Sequence, residues 1–228
     1  VVLDQKQIHH LLVWRVKIGD QIILFDGLGK ETFGYIKSQG RQWIFYVEHL
    51  KNMKKMEGSY ITLAQIITRQ KAMDWIVEKS TELGVSSLQQ LFGEHTRKTG
   101  VDNAMNHWQE KMWSACAQSG RHFKMDIHKP CKFDEFLNNS AFSKLYIADS
   151  SGSPKTFMDY ADHFKAKKNL ENICIIIGSE EGFTENQLIL AKECGADIVS
   201  LGPQILRAET AALVSVVQWQ CLQNQLRK

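Results

Sequence analysis

No stretch of the chain approaches the roughly 18–20 apolar residues that a membrane-spanning helix needs. The longest apolar run, residues 173–177, is the size of a strand. The opening, VVLDQKQIHH, has no basic start followed by an apolar stretch. No secretory signal is therefore expected, and the cytoplasm is the expected compartment. Cysteine is sparse and odd in number, with five residues at 116, 131, 174, 194 and 221 and no CxxC spacing. That argues against a disulfide framework and against a zinc site, and for reduced thiols in a core. The phosphate-loop pattern GxxxxGK[ST] and the zinc pattern HExxH are both absent. Gly27-Leu28-Gly29 starts like GxGxxG but reaches Thr32 where the third glycine belongs. It joins two strand-like runs and reads as a hairpin turn. His9 and His10 are adjacent, so their side chains diverge and metal binding is not expected. No Ser-His-Asp arrangement is legible.

What is present is ordinary globular material. The chain has 228 residues, 43% hydrophobic and 23% charged, enough for one large domain or two modest ones. Net charge is only +3, yet it is unevenly placed. Residues 1–58 hold nine Lys/Arg against six Asp/Glu, and residues 59–228 hold nineteen of each. A basic module on a neutral body suits an anionic partner such as nucleic acid.

The first 58 residues read as β. QIILFD (21–26), FGYIKS (33–38) and WIFYVE (43–48) are short, aromatic and β-branched, with turns at 26–29 and 39–42. Residues 50–58 read as a linker. Beyond it, strands at 59–68, 86–92, 144–149, 172–178 and 197–201 alternate with helices at 71–83, 103–119, 185–194 and 208–226. Met73, Ile76, Val77, Ser80 and Leu83 share one face of the first of these helices, and Gly84 stops it. This alternation implies an α/β domain with a parallel sheet and right-handed crossovers.

Two strand-to-helix junctions stand out. The first is the loop 178–182, followed by a helix start that Thr184 and Gln187 mark as a capping box, with Phe183 and Leu188 placed as a hydrophobic staple. Ligands of parallel sheets bind at the carboxyl ends of strands, and glycines let backbone approach them closely. The second junction, residues 201–211, places two large aliphatics, Ile205 and Leu206, in a loop. They must pack on the core or on a flat ligand. Arg207 and Glu209 lie where the last helix begins.

These junctions carry a resemblance. IIIGSEEGFTENQ (175–187) and VSLGPQILRAETA (199–211) closely resemble the RsmE family, the 16S rRNA uridine N3-methyltransferases of the SPOUT superfamily. Ile8-His9-His10-Leu11-Leu12 with Val13-Trp14-Arg15, then Gly19-Asp20, is similar to the family's opening. Lys79 to Val85 (KSTELGV) resembles its K-x-x-ELGV helix, and Gln118-Ser119-Gly120-Arg121 its QSGR segment. Where the family usually reads GPEGGF, this chain has Ser179 for Pro and Glu181 for Gly. If that glycine needs a positive φ, Glu181 is expected to cost about 1 kcal/mol of strain.

The resemblance implies a PUA-like β-barrel over 1–58 that holds RNA, and a SPOUT domain over 59–228 threaded as a deep trefoil knot. It implies S-adenosylmethionine held by Ile177, Gly178, Glu180, Gly182, Leu201, Gly202, Ile205 and Leu206. It implies a homodimer acting on 16S rRNA of the small subunit, consistent with a last helix that is apolar over a wide arc. Arg207 is the expected cation that stabilises a uracil anion, with Glu209 and Glu180 as the carboxylate candidates for a base. Arg15, Lys17, Arg69 and Arg121 are candidates for RNA phosphates. The competing readings are a non-catalytic RNA-binding protein whose loop Glu181 has spoiled, a SPOUT enzyme with another target, and a nucleotide-dependent small-molecule enzyme.

Overall fold

The computed structural model of the chain describes residues 1–40, 42–54, 60–93, 101–139, 141–149, 155–160 and 172–226. It divides into two compact units, Val1–Met56 and Glu57–Lys228.

The first unit holds helix α1 (Gln5–Val13) and strands β1 (Gln21–Phe25), β2 (Lys30–Gln39) and β3 (Gln42–Asn52). The strands form an antiparallel meander in the order β1-β2-β3. Its core is Leu3, Ile36 and Phe45, with Ile8 and Leu11 of α1 packed against them. The expectation that this segment is all β is corrected by α1. The Asp4 carboxylate accepts from the Gln7 N–H at 2.7 Å, and the Gln7 side chain accepts from the Asp4 N–H at 2.9 Å. That reciprocal cap satisfies two orphan donors and fixes the helix start. At its other end the Val16 N–H reaches the Leu11 carbonyl (3.0 Å) and the Arg15 N–H the Leu12 carbonyl (2.9 Å). This closing motif usually takes glycine, yet here Arg15 adopts φ +58°. The β1–β2 turn is a hairpin, with the Asp26 carboxylate accepting from the N–H groups of Leu28 and Lys30. The expected linker begins too early, because β3 continues through Asn52. Residues 55–58 of that linker lie outside the described residues.

The second unit is built on one parallel sheet in the order β6-β5-β4-β8-β7-β9. Its strands are β4 (Tyr60–Ile66), β5 (Ser87–Phe92), β6 (Asp126–Lys132), β7 (Lys144–Ala148), β8 (Asn172–Ile177) and β9 (Ala196–Val199). The helices are α2 (Gln70–Glu82), α3 (Val101–Ser119), α4 (Phe133–Asn139), α5 (Glu185–Glu193) and α6 (Ala208–Leu226). The expected parallel α/β alternation is present, and β8 is buried from Ile173 onward, as a central strand covered on both faces must be. Ala64, Ile66, Leu91, Ile147, Cys174 and Ile176 pack on one face against Phe133 and Leu137 of α4 and Ala191 of α5. The alternate residues face the other helices, where the Tyr146 ring lies 5.8 Å from that of Trp219 on α6. Gly84 and Gly120, both at positive φ, close α2 and α3.

In this unit β6 and α4 escaped the sequence reading, as did a short 3-10 turn at Phe157–Tyr160. β6 carries Pro130 and three charges, which disguises it. As an edge strand that pairs only with β5 among the described residues it tolerates both, and its register shifts where the proline falls. Among the described residues no helix is long and apolar enough to cross a membrane.

Candidate active site

Three strand ends on one side of the sheet converge on a cavity of about 370 Å³. Ala148 and Asp149 come from the end of β7, residues 177–183 from β8 and its loop, and residues of 201–206 from the loop after β9. Ala208 and Ala211 of α6 close it. All eight residues expected at a ligand line this one space: Ile177, Gly178, Glu180, Gly182, Leu201, Gly202, Ile205 and Leu206.

The loop after β8 is a tight turn. The Gly182 N–H donates to the Ser179 carbonyl at 3.1 Å, and the Ser179 hydroxyl accepts from the Glu181 N–H at 3.3 Å. Gly182 takes φ +78°, while Glu181 is not among the residues at positive φ. The strain expected of Glu181 is therefore absent, because Gly182 alone carries the left-handed position. A Cβ on Gly178 would come within 3.0–3.1 Å of the Gly182 backbone, so that glycine permits the close return of the chain. Thr184 and Gln187 form the expected capping box on α5. Phe183 and Leu188 pack against the same core cluster, as a staple requires.

The turn is tied to the end of β4. Gln65 donates from Nε2 to the Gly178 carbonyl at 2.9 Å. The Thr68 hydroxyl donates to Glu180 Oε1 at 2.8 Å, and Arg69 Nε donates to the same oxygen. These two donors, Thr68 first and then Arg69, hold the Glu180 carboxyl below its ordinary range. Glu180 is thus a charge already engaged, which weakens it as a base. A second cleft of about 870 Å³ lies across the same turn, with Thr68, Arg69, Gln70 and Gly93 on its other wall.

In the second loop, Gly202 takes φ +138° and the Gln218 side chain of α6 donates to the Leu201 carbonyl at 3.2 Å. Ile205 is 89% exposed and Leu206 half-buried. Ile205 therefore does not pack on the core, the first of the two possibilities its sequence left open. Arg207 is exposed and Glu209 half-buried in the first turn of α6. Neither lines the cavity, and the apolar neighbours of Arg207 in sequence do not enclose it.

The four residues expected at RNA phosphates part company. Arg15 and Lys17 are exposed at the end of α1 in the first unit. Arg69 is exposed and paired with Glu180. Arg121 is a correction. Its guanidinium donates to the carbonyls of Thr81 (2.7 Å), Val85 (2.6 Å) and Phe123. Its donors close the α2–β5 turn, and burial lowers its pKa, so it serves the fold rather than a phosphate. The sequence reading also missed Asp149, Gln65 and Thr68. Asp149 ends KLYIAD, and the rule that ligands sit at carboxyl ends of parallel strands points to it. Nothing in one sequence marks Gln65 or Thr68, whose partners lie more than a hundred residues away.

A parallel sheet with two glycine-bearing loops facing one cavity, in a chain that also carries a basic β unit, is the layout of an RNA-modifying transferase. The family model described as RNA methyltransferase domain matches residues 55–220, and that described as RNA methyltransferase PUA domain matches residues 3–42. The ribosomal RNA small subunit methyltransferase E of Neisseria gonorrhoeae, solved bound to S-adenosyl methionine, is 30% identical with a TM-score of 0.84, over 97% of this chain and 91% of that one. A Legionella pneumophila methyltransferase solved with the same cofactor has a TM-score of 0.86 at 28% identity, over 99% and 91% of the two chains. The ribosomal RNA small subunit methyltransferase E of Buchnera aphidicola is 29% identical over 96% of this chain and 86% of its own length. The chain belongs to the RNA methyltransferase family, in its ribosomal RNA small subunit methyltransferase E branch.

Proposed function

We propose that this chain transfers a methyl group from S-adenosylmethionine to N3 of a uridine in the 16S rRNA of the small ribosomal subunit. The observation that carries the reading is the convergence of all eight expected cofactor residues on one cavity of about 370 Å³, a volume in the range of small-molecule sites. The residues suit the group. Exposed Ile205 and half-buried Leu206 offer apolar faces for an adenine. The glycine-bearing turns at 178–182 and 201–202 present backbone N–H and C=O to read its edge without a charge.

S-adenosylmethionine supplies an electrophilic methyl on a positively charged sulfur. That charge disappears in the transition state, so a free carboxylate beside it would stabilise the ground state more. Glu180 is compensated by Arg69 and Thr68, which limits this penalty. Arg207, exposed beside the site, holds the uracil as its N3 proton leaves, and Glu209 accepts that proton. Most of the acceleration comes from alignment of donor and acceptor. Arg15, Lys17 and Arg69 contact RNA phosphates, and the wider cleft, with Arg69 on its wall, is the side from which the RNA approaches. The unit 1–58 is a PUA-like barrel and the unit 59–228 is threaded as a deep trefoil knot, acting in the cytoplasm as a homodimer. Exposed Ile205, just before α6, and Val217, midway along it, support an intersubunit face.

The test is methyl transfer from labelled S-adenosylmethionine to small subunits lacking the modification, followed by nucleoside mass analysis. Label in 3-methyluridine is expected. Label in another nucleoside, or none with the cofactor bound, would redirect the reading to another RNA target. Absence of both label and cofactor binding would leave an RNA-binding protein without catalysis.

A further inference from the structure

We propose that the open face of the N-terminal sheet is a stacking platform for unpaired RNA nucleotides. The inference rests on the proposed function in taking RNA as the partner, and it adds the residues and the mode of recognition.

The meander has two unlike faces. Ile36 and Phe45 lie in the core, with Ile22 and Trp43 packed against them. Strand alternation turns their neighbours Phe33, Tyr35 and Lys37 of β2 to the other face. Across the ladder Phe33 pairs with His49 and Tyr35 with Tyr46, while Ile23 of β1 flanks Phe33. The rings of Phe33 and His49 stack face to face, 4.3 Å apart at 10°. Those of Tyr35 and Tyr46 lie 5.2 Å apart at 37°. The Lys37 ammonium sits 4.9 Å from the Tyr35 centroid and 4.5 Å from that of Tyr46, holding the pair with a cation. Tyr46 and Ile23 are each 52% exposed, and His49 is exposed. Glu31, at the end of the same row, is buried and presents little charge to the surface.

The backbone is shaped to keep these rings together. The register shifts between Phe33 and Gly34. A Cβ at Gly34 would overlap the Tyr46 carbonyl oxygen, so only glycine permits this approach of the strands. Two ring pairs on adjacent strands, with a lysine beside them, match how single strands are bound: bases stack on aromatics while cations meet the backbone. The positive excess of the chain lies wholly in residues 1–58, which favours a polyanion over an apolar protein surface.

The probe is an unstructured oligouridylate of about twelve nucleotides, a length within the site sizes of single-strand binders. Its affinity is measured by fluorescence anisotropy at fixed salt. Tyr46→Leu and Tyr35→Leu keep an apolar side chain and remove the ring. Each should weaken binding about tenfold, within the range of one base stack, while Tyr46→Phe should bind as the parent does. A photoreactive thiouridine version should crosslink to the parent protein within residues 33–49, a readout that needs no variant to fold. Parental affinity in both Leu variants, or crosslinks confined to other segments, would overturn the platform. Formation of 3-methyluridine by the parent protein is read separately. Its failure with crosslinks in 33–49 removes the proposed reaction and leaves the platform. Its success with unaffected Leu variants removes the platform and leaves the reaction.

Discussion

Gln65 Nε2 donates to the carbonyl of Gly178 at 2.9 Å, and the same amide donates to the Ile66 carbonyl at 2.8 Å. Gln65 and Ile177 are register partners on adjacent parallel strands, so the glutamine meets the chain where it leaves β8. Thr68 and Arg69 then seize the same turn at Glu180. One strand end thus anchors the loop at its first and third residues. A loop with glycine at both ends loses much entropy on ordering, and here its hydrogen bonds to β4 and the residues after it impose that order without a ligand.

The Gln65 side chain is fully buried, and its Oε1 has no partner among the described residues. Replacing this amide with an apolar side chain leaves the Gly178 and Ile66 carbonyls without their donor, a cost of about 1–3 kcal/mol. Gln65→Met should therefore lower the melting temperature by roughly 2–12 °C and, in the folded protein, lower S-adenosylmethionine affinity about tenfold, near the worth of one buried hydrogen bond. Calorimetric titration beside a thermal melt checks both halves. Unchanged affinity would show that the loop orders without Gln65.

Glu180 gives a pH dependence of definite sign. Its pKa in the folded chain lies below the usual 4.5, first through the Thr68 hydroxyl and then through Arg69. A depressed carboxylate contributes its interaction fully above the ordinary value and loses it as pH falls through the folded value. Cofactor affinity should thus hold steady from neutrality down to about that ordinary value and fall only in more acid solution. Glu180→Gln should weaken binding at neutral pH and remove this acid fall. The measurement is cofactor dissociation constant against pH for both proteins. An affinity that declines well above the ordinary carboxylate range would assign the titration to another group.

Arg121 makes a prediction about stability instead of RNA. Three carbonyls on two connections depend on one guanidinium. Removing it leaves partly buried acceptors unpaired, so Arg121→Ala should destabilise by about 3 kcal/mol, which lowers the melting temperature by roughly 6–12 °C in a domain of this size. Arg121→Lys should recover little, since an ammonium lacks the planar fork that reaches three directions. RNA affinity of the folded fraction should stay at the parent value. A loss of RNA affinity with an unchanged melt would return Arg121 to the phosphate role.

The parts legible in the sequence share a physical character. The β8 run at 172–177 is apolar enough to declare a central strand, and Thr184 with Gln187 declares the helix that follows. The carboxyl-end rule then points to the cavity where β8 and β9 end. What was not legible depends on distance or on disguise. α1 hides its capping box, Asp4 with Gln7, in a helix of only 9 residues, and β6 hides an edge strand behind Pro130. Gln65, Thr68 and Arg121 are ordinary polar residues until the fold brings their partners near. Arg121 is the instructive case, because a cation in a family motif reads equally well as phosphate ligand or as buttress. Only the three carbonyls around it decide.

Arg207 separates binding from chemistry. It is exposed at the threshold of α6, outside the lining of the cavity, and no described side chain pairs with it. A cation so placed contributes little to holding a cofactor inside the cavity. It can meet charge that develops on a base presented at the mouth, where an electrostatic donor is worth about 10²–10³ in turnover. Arg207→Ala should therefore leave the cofactor dissociation constant nearly unchanged and lower kcat by about that factor. The pH profile adds a readout that a structural role would not move. Without the cation, the reaction draws more on uracil ionised by solvent, so the variant's kcat should climb with pH beyond the point where the parent's levels off. Loss of cofactor affinity in Arg207→Ala, with the pH profile unchanged, would place this guanidinium at the cofactor and remove it from the chemistry.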